Sequence, residues 1–421
     1  MTSAFHQLLP GALALRTGPR RPLAHRPGAW GRRLRGSPLR SRRFRSADGA
    51  LLAACLSARP LEIASSSPLA GGQNRLGNWA AWLRGPVLGA VLTILMAANG
   101  AADDGAQGSP DGAYLNYGRG PLPVKDNFVM SHRSLQYTQE GAKVLDRGRW
   151  EGGLTIHWSN SFGTRRTQFF VVDGETIAIT PSLSYGVNDW LEVGIDVPTV
   201  VRTGGAMDGF IEAFHSMWAY SNMDRDRFEE DDFDVRITGS DGRVFREDDT
   251  GYDLGKITLK ARANLTDGGN LIPAVTLGLD VALPTGSRDE LSGSDGVDAG
   301  FYLYLSKRVV ADFYLHVNGG ATVWSDPDLD HIDMENVRAN VGIAFEWACS
   351  DATSIVAQLL YHTAQFAEGT GNLQELSFTY LLGVKTEPWK DVEFHFGVVE
   401  NELKYDNSAD FGVQGGVSFG W

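Results

Sequence analysis

The chain has 421 residues, 51 acidic against 38 basic side chains, a formal net charge of −13 and a mean hydropathy of −0.19. That hydropathy excludes a bundle of transmembrane helices, and the two cysteines, Cys55 and Cys349, exclude a disulfide framework or a thiolate metal site. The charge is divided: residues 1–102 hold fourteen Arg, no Lys and only Asp48 and Glu62, a net +12, whereas the other 319 residues hold 24 basic and 49 acidic side chains, a net −25.

Residues 1–75 are rich in Arg, Pro, Ala and Ser without periodicity, and no fold is assigned to them. A start codon set too far upstream, a transit peptide and a nucleic-acid-binding arm would each explain such a leader, the last without any partner domain in its support. Residues 76–102 read as a signal peptide. Arg84 precedes an apolar run ending at Ala98 that is too short to span a bilayer, and small residues from Gly100 to Ala102 mark the cleavage site. Export then leaves Cys349 alone in the mature chain. Residues 103–149 are expected to form a periplasmic N-terminal segment.

From Trp150 onward the sequence alternates apolar and polar residues between turn signals. Strands are predicted at Trp150–Trp158, Thr167–Val187, Leu191–Val197, Lys256–Leu265, Leu271–Leu283, Val297–Ser306, Val309–Trp324, Val337–Trp347, Ala352–Ala364, Gln374–Thr386, Val392–Asn401 and Ala409–Trp421. Short connections fall at Asn188-Asp189, Thr266–Asn270, Lys307-Arg308, Ala348–Asp351 and Glu387–Lys390. Longer ones fall at Ser159–Arg166, Arg202–Asp253, Pro284–Gly296, Ser325–Asn336, Gln365–Leu373 and Glu402–Ser408. This rhythm of short and long predicts an all-β fold: a transmembrane, antiparallel, up-and-down β-barrel of about 12 strands over residues 150–421, with short periplasmic turns and long outer loops. In the last strand Phe411, Val413, Val417, Phe419 and Trp421 share one parity, so Phe419 and Trp421 are candidates for the C-terminal strand that barrel-insertion machinery reads. Trp150, Trp347 and Trp421 at periplasmic strand ends, with Trp158 at an outer end, resemble an interfacial girdle.

The opposite parity should line the lumen. Glu192 and Asp196 on the third strand face Lys256, Lys260 and Arg262 on the fourth, with Glu192 near Arg262 and Asp196 near Lys256 or Lys260. Such a set either fills the lumen as an ion-pair ladder or filters solutes by charge. Within the 202–253 loop, Met207, Phe210, Ile211, Phe214, Met217 and Trp218 follow helical spacing. That helix could plug the mouth, lie on the outer leaflet or cover a pocket. Phe233–Arg246 reads as a hairpin around Ser240-Asp241-Gly242. Asp326, Asp328 and Asp330 imitate the start of a calcium loop, but His331 and Val337 stand where Gly and Glu are required. His157 and Ser159, like His316 and Asn318, share a strand face at the spacing of a histidine–serine hydrolase; outer-membrane phospholipases are similar in strand number and in using such a pair. No nucleophile elbow, phosphate loop or zinc-protease motif is present, and no catalytic residue, cofactor or metal is assigned.

Leu183–Pro198, Gly209-Phe-Ile-Glu-Ala-Phe-His215, Ala282-Leu-Pro-Thr-Gly286 and Leu291–Asp298 together resemble the outer-membrane proteins grouped as domain of unknown function 3187, over roughly Pro121 to Trp421. The resemblance implies a bacterial outer-membrane barrel and carries no functional residues. The sequence thus reads as a porin-like pore or small-molecule uptake channel in the bacterial outer membrane, in contact with lipid, lipopolysaccharide and the insertion machinery and with no nucleic-acid partner. A membrane-embedded hydrolase or lipid-modifying enzyme and a purely structural barrel are the alternatives.

Overall fold

The computed structural model describes residues 117–165, 170–218, 225–228, 231–367, 371–401 and 406–421, so the leader, the signal peptide and residues 103–116 lie outside the described residues. The strands are β1 (Trp150–Arg165), β2 (Phe170–Asn188), β3 (Leu191–Asp196), β4 (Thr199–Thr203), β5 (Asp234–Thr238), β6 (Val244–Glu247), β7 (Gly251–Leu254) and β8 (Thr258–Thr266). They continue as β9 (Ala274–Ala282), β10 (Asp298–Val310), β11 (Phe313–Val323), β12 (Val337–Ala348), β13 (Thr353–His362), β14 (Ser377–Trp389), β15 (Val392–Glu400) and β16 (Phe411–Gly420). Among the described residues one α-helix, α1, spans Asp208–Trp218.

Neighbouring strands pair antiparallel, and β1 pairs with both β2 and β16, which closes the sheet into a ring. β3 and β4 are two halves of one barrel strand. Both pair with β2 in a single register, interrupted at Val197-Pro198 because proline has no N–H for the ladder. β7 and β8 are likewise halves of the next strand, and Gly255 N–H to Pro198 C=O (2.8 Å) bridges the interruption. The ring therefore has twelve strands, as the sequence rhythm predicts. Each contributes exposed apolar side chains to the outside, among them Ile156, Leu183, Leu279, Phe301, Phe345, Leu382 and Phe396, while buried polar residues alternate with them inside. A water-soluble sheet would bury those side chains; an outward apolar band of this kind is solvated by hydrocarbon.

Several boundaries differ from the sequence reading. β1 continues to Arg165 and does not end at Trp158. Its upper outward positions, Asn160 and Phe162, are covered by the segment after β4 (Arg225 bonds Asn160 at 3.0 Å and lies over the Phe162 ring), so the apolar alternation of a lipid-facing strand stops there. Trp158 accordingly sits mid-strand, donating to Glu175 at 2.6 Å, whereas Trp150, Trp347 and Trp421 lie exposed at the short-turn end as expected. The turn placed at Lys307-Arg308 falls at Ala311-Asp312, because β10 continues past Lys307, which pairs with Leu315 of β11 and whose ammonium bonds the Asn270 carbonyl of the neighbouring turn (2.7 Å). The turn after β2 shifts one residue to Asp189-Trp190, where the Asn188 side chain accepts the Trp190 N–H at 3.0 Å.

Helix α1 forms where the periodicity places it, and the β5–β6 hairpin turns at Gly239–Arg243. The helix lies against the outside of the ring, with Met207 and Ile211 packed on Phe411, Trp158, Val398 and Val413.

The largest correction concerns the residues before β1. Expected to stand in the periplasm, residues 117–149 instead enter the barrel at the short-turn end, rise to the long-loop end, turn through a single 3-10 element (Val129–Arg133) and descend into β1. The physical reason is composition: Leu122, Val124, Phe128, Val129, Met130, Leu135 and Tyr137 are too apolar to stay in water, and all are buried here.

The entry point depends on Gly118. Its φ of +59° is left-handed, and a Cβ would collide with the Glu346 carboxylate. Gly118→Val should therefore cost about 1–3 kcal/mol. The expected readout is faster proteolysis within residues 117–149 with the heat-resistant barrel band intact; unchanged protection would show that the entry point does not fix the segment.

Candidate functional site: the occupied lumen

Hairpin 117–149 forms no strand pairing with the wall, so its peptide groups must find side-chain partners. On the ascending arm, the N–H groups of Arg119 and Gly120 donate to Glu346 (2.9 and 3.0 Å), and Leu122 makes a two-way contact with the Gln358 amide (2.6 and 3.1 Å). Asp126 is paired with Arg338 at 2.7 Å, both buried. On the descending arm, the N–H of Leu135 donates to Asp298 (2.9 Å), that of Ala142 to Ser306 (2.9 Å) and that of Leu145 to Glu192 (2.8 Å).

The tip is held differently. Phe128, Val129 and Met130 join Phe170, Val172, Phe233, Ile237, Leu329, Phe366 and other loop residues in the largest apolar cluster, which seals the long-loop end. Burying three such side chains contributes roughly 5–9 kcal/mol as an upper bound, against about 1 kcal/mol net for each neutral hydrogen bond along the arms. Around the seal, Ser159 donates to the Asn127 carbonyl (2.9 Å) and His132 Nε2 meets Thr176 Oγ1 (3.1 Å). Burial holds the His132 imidazole down at about 4, from its ordinary 6.5, so it docks uncharged.

All five predicted lumen residues face inward, and four form one network. Glu192 is 3.7 Å from Arg262 and Asp196 is 3.7 Å from Lys260, matching the expected cross-strand pairs. Between them stands Glu140 of the hairpin, 2.6 Å from Lys260 and 3.1 Å from Arg262, with Lys125 3.6 Å from Asp196. Lys256 goes elsewhere, to Asp298 (2.8 Å) and Ser294 (2.8 Å). The ladder thus extends from the wall to the hairpin. Glu140, Lys125 and Asp126 escaped the sequence reading because the hairpin has no periodicity; its excess of apolar residues was the available signal, and Glu346 of β12 gains its role only from the hairpin that it binds.

The hairpin leans toward β8–β14, where the Tyr137 ring packs at a tilt against Tyr302 (centroids 5.3 Å) and Leu122 packs with Val356, Leu360 and Leu381. A cavity of about 480 Å³ remains along β15, β16, β1 and β2, opening at the short-turn end. Its uncharged wall carries Thr155, His157, Thr180, Ser182, His395 and Ser418. Gly416 makes this possible, since a Cβ there would strike the His395 ring.

His157 and Ser159 do not act on one another in this arrangement. Ser159 is committed to Asn127 and Thr176 (3.1 Å), and His157 Nε2 has no partner among the described residues. His316 is bonded to Ser306 (2.8 Å) and Glu346 (3.1 Å), an array with the outline of a nucleophile–base–acid relay. All three are fully buried, and Ser306 and Glu346 already accept hairpin N–H groups, so the relay anchors the hairpin. Asp328 is used by the Met334 N–H (3.0 Å) and Asp326 by Arg288; no group of metal-ligating side chains occurs among the described residues.

Residues 112–421 match the family model described as "Protein of unknown function (DUF3187)". The chain belongs to that family. The family region takes in the whole hairpin as well as the barrel. No curated protein matches the chain. Among solved structures, it is similar to an outer membrane channel from Pseudomonas putida F1 at 12% identity and a TM-score of 0.45, covering 66% of this chain and 98% of that one. It is also similar to the NanC porin (10%, TM-score 0.39, 64% and 98%) and to the toluene transporter TodX of Pseudomonas putida (10%, TM-score 0.32, 66% and 90%).

Glu140 is the hairpin's only carboxylate in the cationic pair Lys260–Arg262. Glu140→Gln should leave both short of a counter-charge and weaken docking by about 3 kcal/mol. Hydrogen exchange of residues 135–145 should then accelerate about a hundredfold while β9–β14 remain protected; equal protection in both proteins would remove Glu140 from the docking energetics.

Proposed function

We propose that this protein is a passive channel of the bacterial outer membrane for a small solute, closed in the state described above by hairpin 117–149 and opened when that hairpin leaves the lumen. The observation that carries the reading is the independence of ring and hairpin: the twelve-strand hydrogen-bonded circuit is complete without residues 117–149. A filled lumen that served only structure would be expected to share strand pairing with its filling. The cavity beside the hairpin supplies a second support, since it already runs part of the way along one wall.

In this reading the exposed belt contacts lipid, and α1, laid on the outer rim with Phe210 exposed, contacts the lipopolysaccharide leaflet. Glu192, Asp196, Lys260 and Arg262 line the passage once Glu140 withdraws, and Lys256 supports its rim. Phe419 and Trp421, exposed on the closing strand, serve as the feature that the insertion machinery reads; Trp421 exchanges two backbone hydrogen bonds with Trp150 (3.0 Å each), which ties assembly to barrel closure.

Planar-bilayer recording tests the reading. The full chain should be mostly silent with brief openings, because losing the apolar seal opposes opening by several kcal/mol, and deletion of residues 117–145 should give steady steps. A folded, deleted barrel that stays silent would contradict it.

A further inference from the structure

Resting on that channel reading, we propose that the residual cavity is a binding site for an uncharged, hydroxyl-bearing small molecule of about monosaccharide size, held by His157 and His395. The cavity's volume, about 480 Å³, falls within the range of small-molecule sites, roughly 300–1,000 Å³. Two features of its lining select the ligand class.

The first is an unmet hydrogen-bonding demand. His157 is 4% exposed and its Nε2 has no partner; His395 Nε2 is also buried and unpartnered. Both rings line the cavity, from β1 and β15, on opposite sides of β16. A buried imidazole nitrogen without a partner is costly, and a hydroxyl can satisfy it in either tautomer because it both donates and accepts. Thr155, Thr180, Ser182 and Ser418 surround the pair with further groups of the same reversible kind.

The second is that the deep charges are already spent on each other. Lys260 and Arg262 are held by Glu140, Asp196 and Glu192; Lys125 by Asp196; and Lys385 by Glu393 at 2.9 Å. Among these deep residues a charged solute would have to break one of the pairs to gain a counter-ion, Glu151 nearer the mouth being a lining carboxylate outside them, whereas an uncharged polyol uses only the free valences. The site therefore discriminates by absence of charge, with the mixed walls disfavouring both signs.

The test uses the full chain in lipid nanodiscs with nitrogen-15 in its histidine rings, titrated with D-glucose, D-glucuronate and D-glucosamine, three molecules of one ring scaffold and three charges. Glucose should shift two imidazole resonances saturably, assigned by His157→Ala and His395→Ala, and either substitution should weaken glucose about tenfold, the loss of one good hydrogen-bonding site. Glucuronate and glucosamine should bind at least about tenfold more weakly than glucose. Equal binding of either charged sugar, or no shift of these two rings by glucose, overturns the proposal; the sugar comparison on the unsubstituted protein decides it even where a variant fails to fold. Glucose binding in a barrel whose hairpin deletion does not conduct would sink the channel reading and leave the site, whereas conduction without glucose binding would do the reverse.

Discussion

Twelve strands close around a lumen too wide for their own inward side chains, which fill an eight-stranded barrel. In this protein the space is taken by backbone, and backbone brings peptide groups that cannot be left unpaired. The inner wall is built around that need. Glu346, Gln358, Ser306, Asp298 and Glu192 each accept or exchange a hydrogen bond with a hairpin peptide, and they come from four strands, β12, β13, β10 and β3. The outer wall faces the opposite demand, and the period-two alternation of every strand is the only pattern that meets both.

The hairpin is anchored unevenly. Its tip is sealed by apolar burial, its arms by hydrogen bonds and the Glu140–Lys260–Arg262 cluster, and its side toward β15–β2 by little beyond the contacts of Asn127, Val129 and His132 with Ser159, Ser161 and Thr176. The weakly contacted wall is also the one with small hydroxyl side chains and the cavity. Displacement would begin where contacts are fewest, so the same asymmetry that leaves room for a solute would define the side along which the passage widens.

The barrel was legible because lipid and lumen impose alternation on twelve segments at once; Ile177, Ile179, Leu183, Tyr185 and Val187 alone would also suit a soluble sandwich, and the rhythm of short and long connections decides for the barrel. The pairing of Glu192 with Arg262 followed from that alternation and antiparallel register. Legibility failed wherever a strand left the lipid. Asn160 and Phe162 are strand residues covered by protein, and they carry no lipid signature. The hairpin failed for a deeper reason: it is neither helix nor strand, its partners lie some two hundred residues away in sequence, as with Leu122 and Gln358, and no local pattern encodes such contacts. Glu140 could be found only after the fold had placed it beside Lys260.

The most direct measurement is a reversible tether at the hairpin tip. Ser131 donates to Gln365 of the long-loop end at 2.9 Å, so Ser131→Cys with Gln365→Cys, on a Cys55→Ser, Cys349→Ser background, joins tip to rim when oxidised together with a short dithiol that spans the length of the lost glutamine side chain. In a planar bilayer the oxidised protein should be silent, and reduction of the same membrane should restore the brief openings of the untethered chain. Undiminished conductance in the oxidised, fully cross-linked protein would show that solute passes without the hairpin moving.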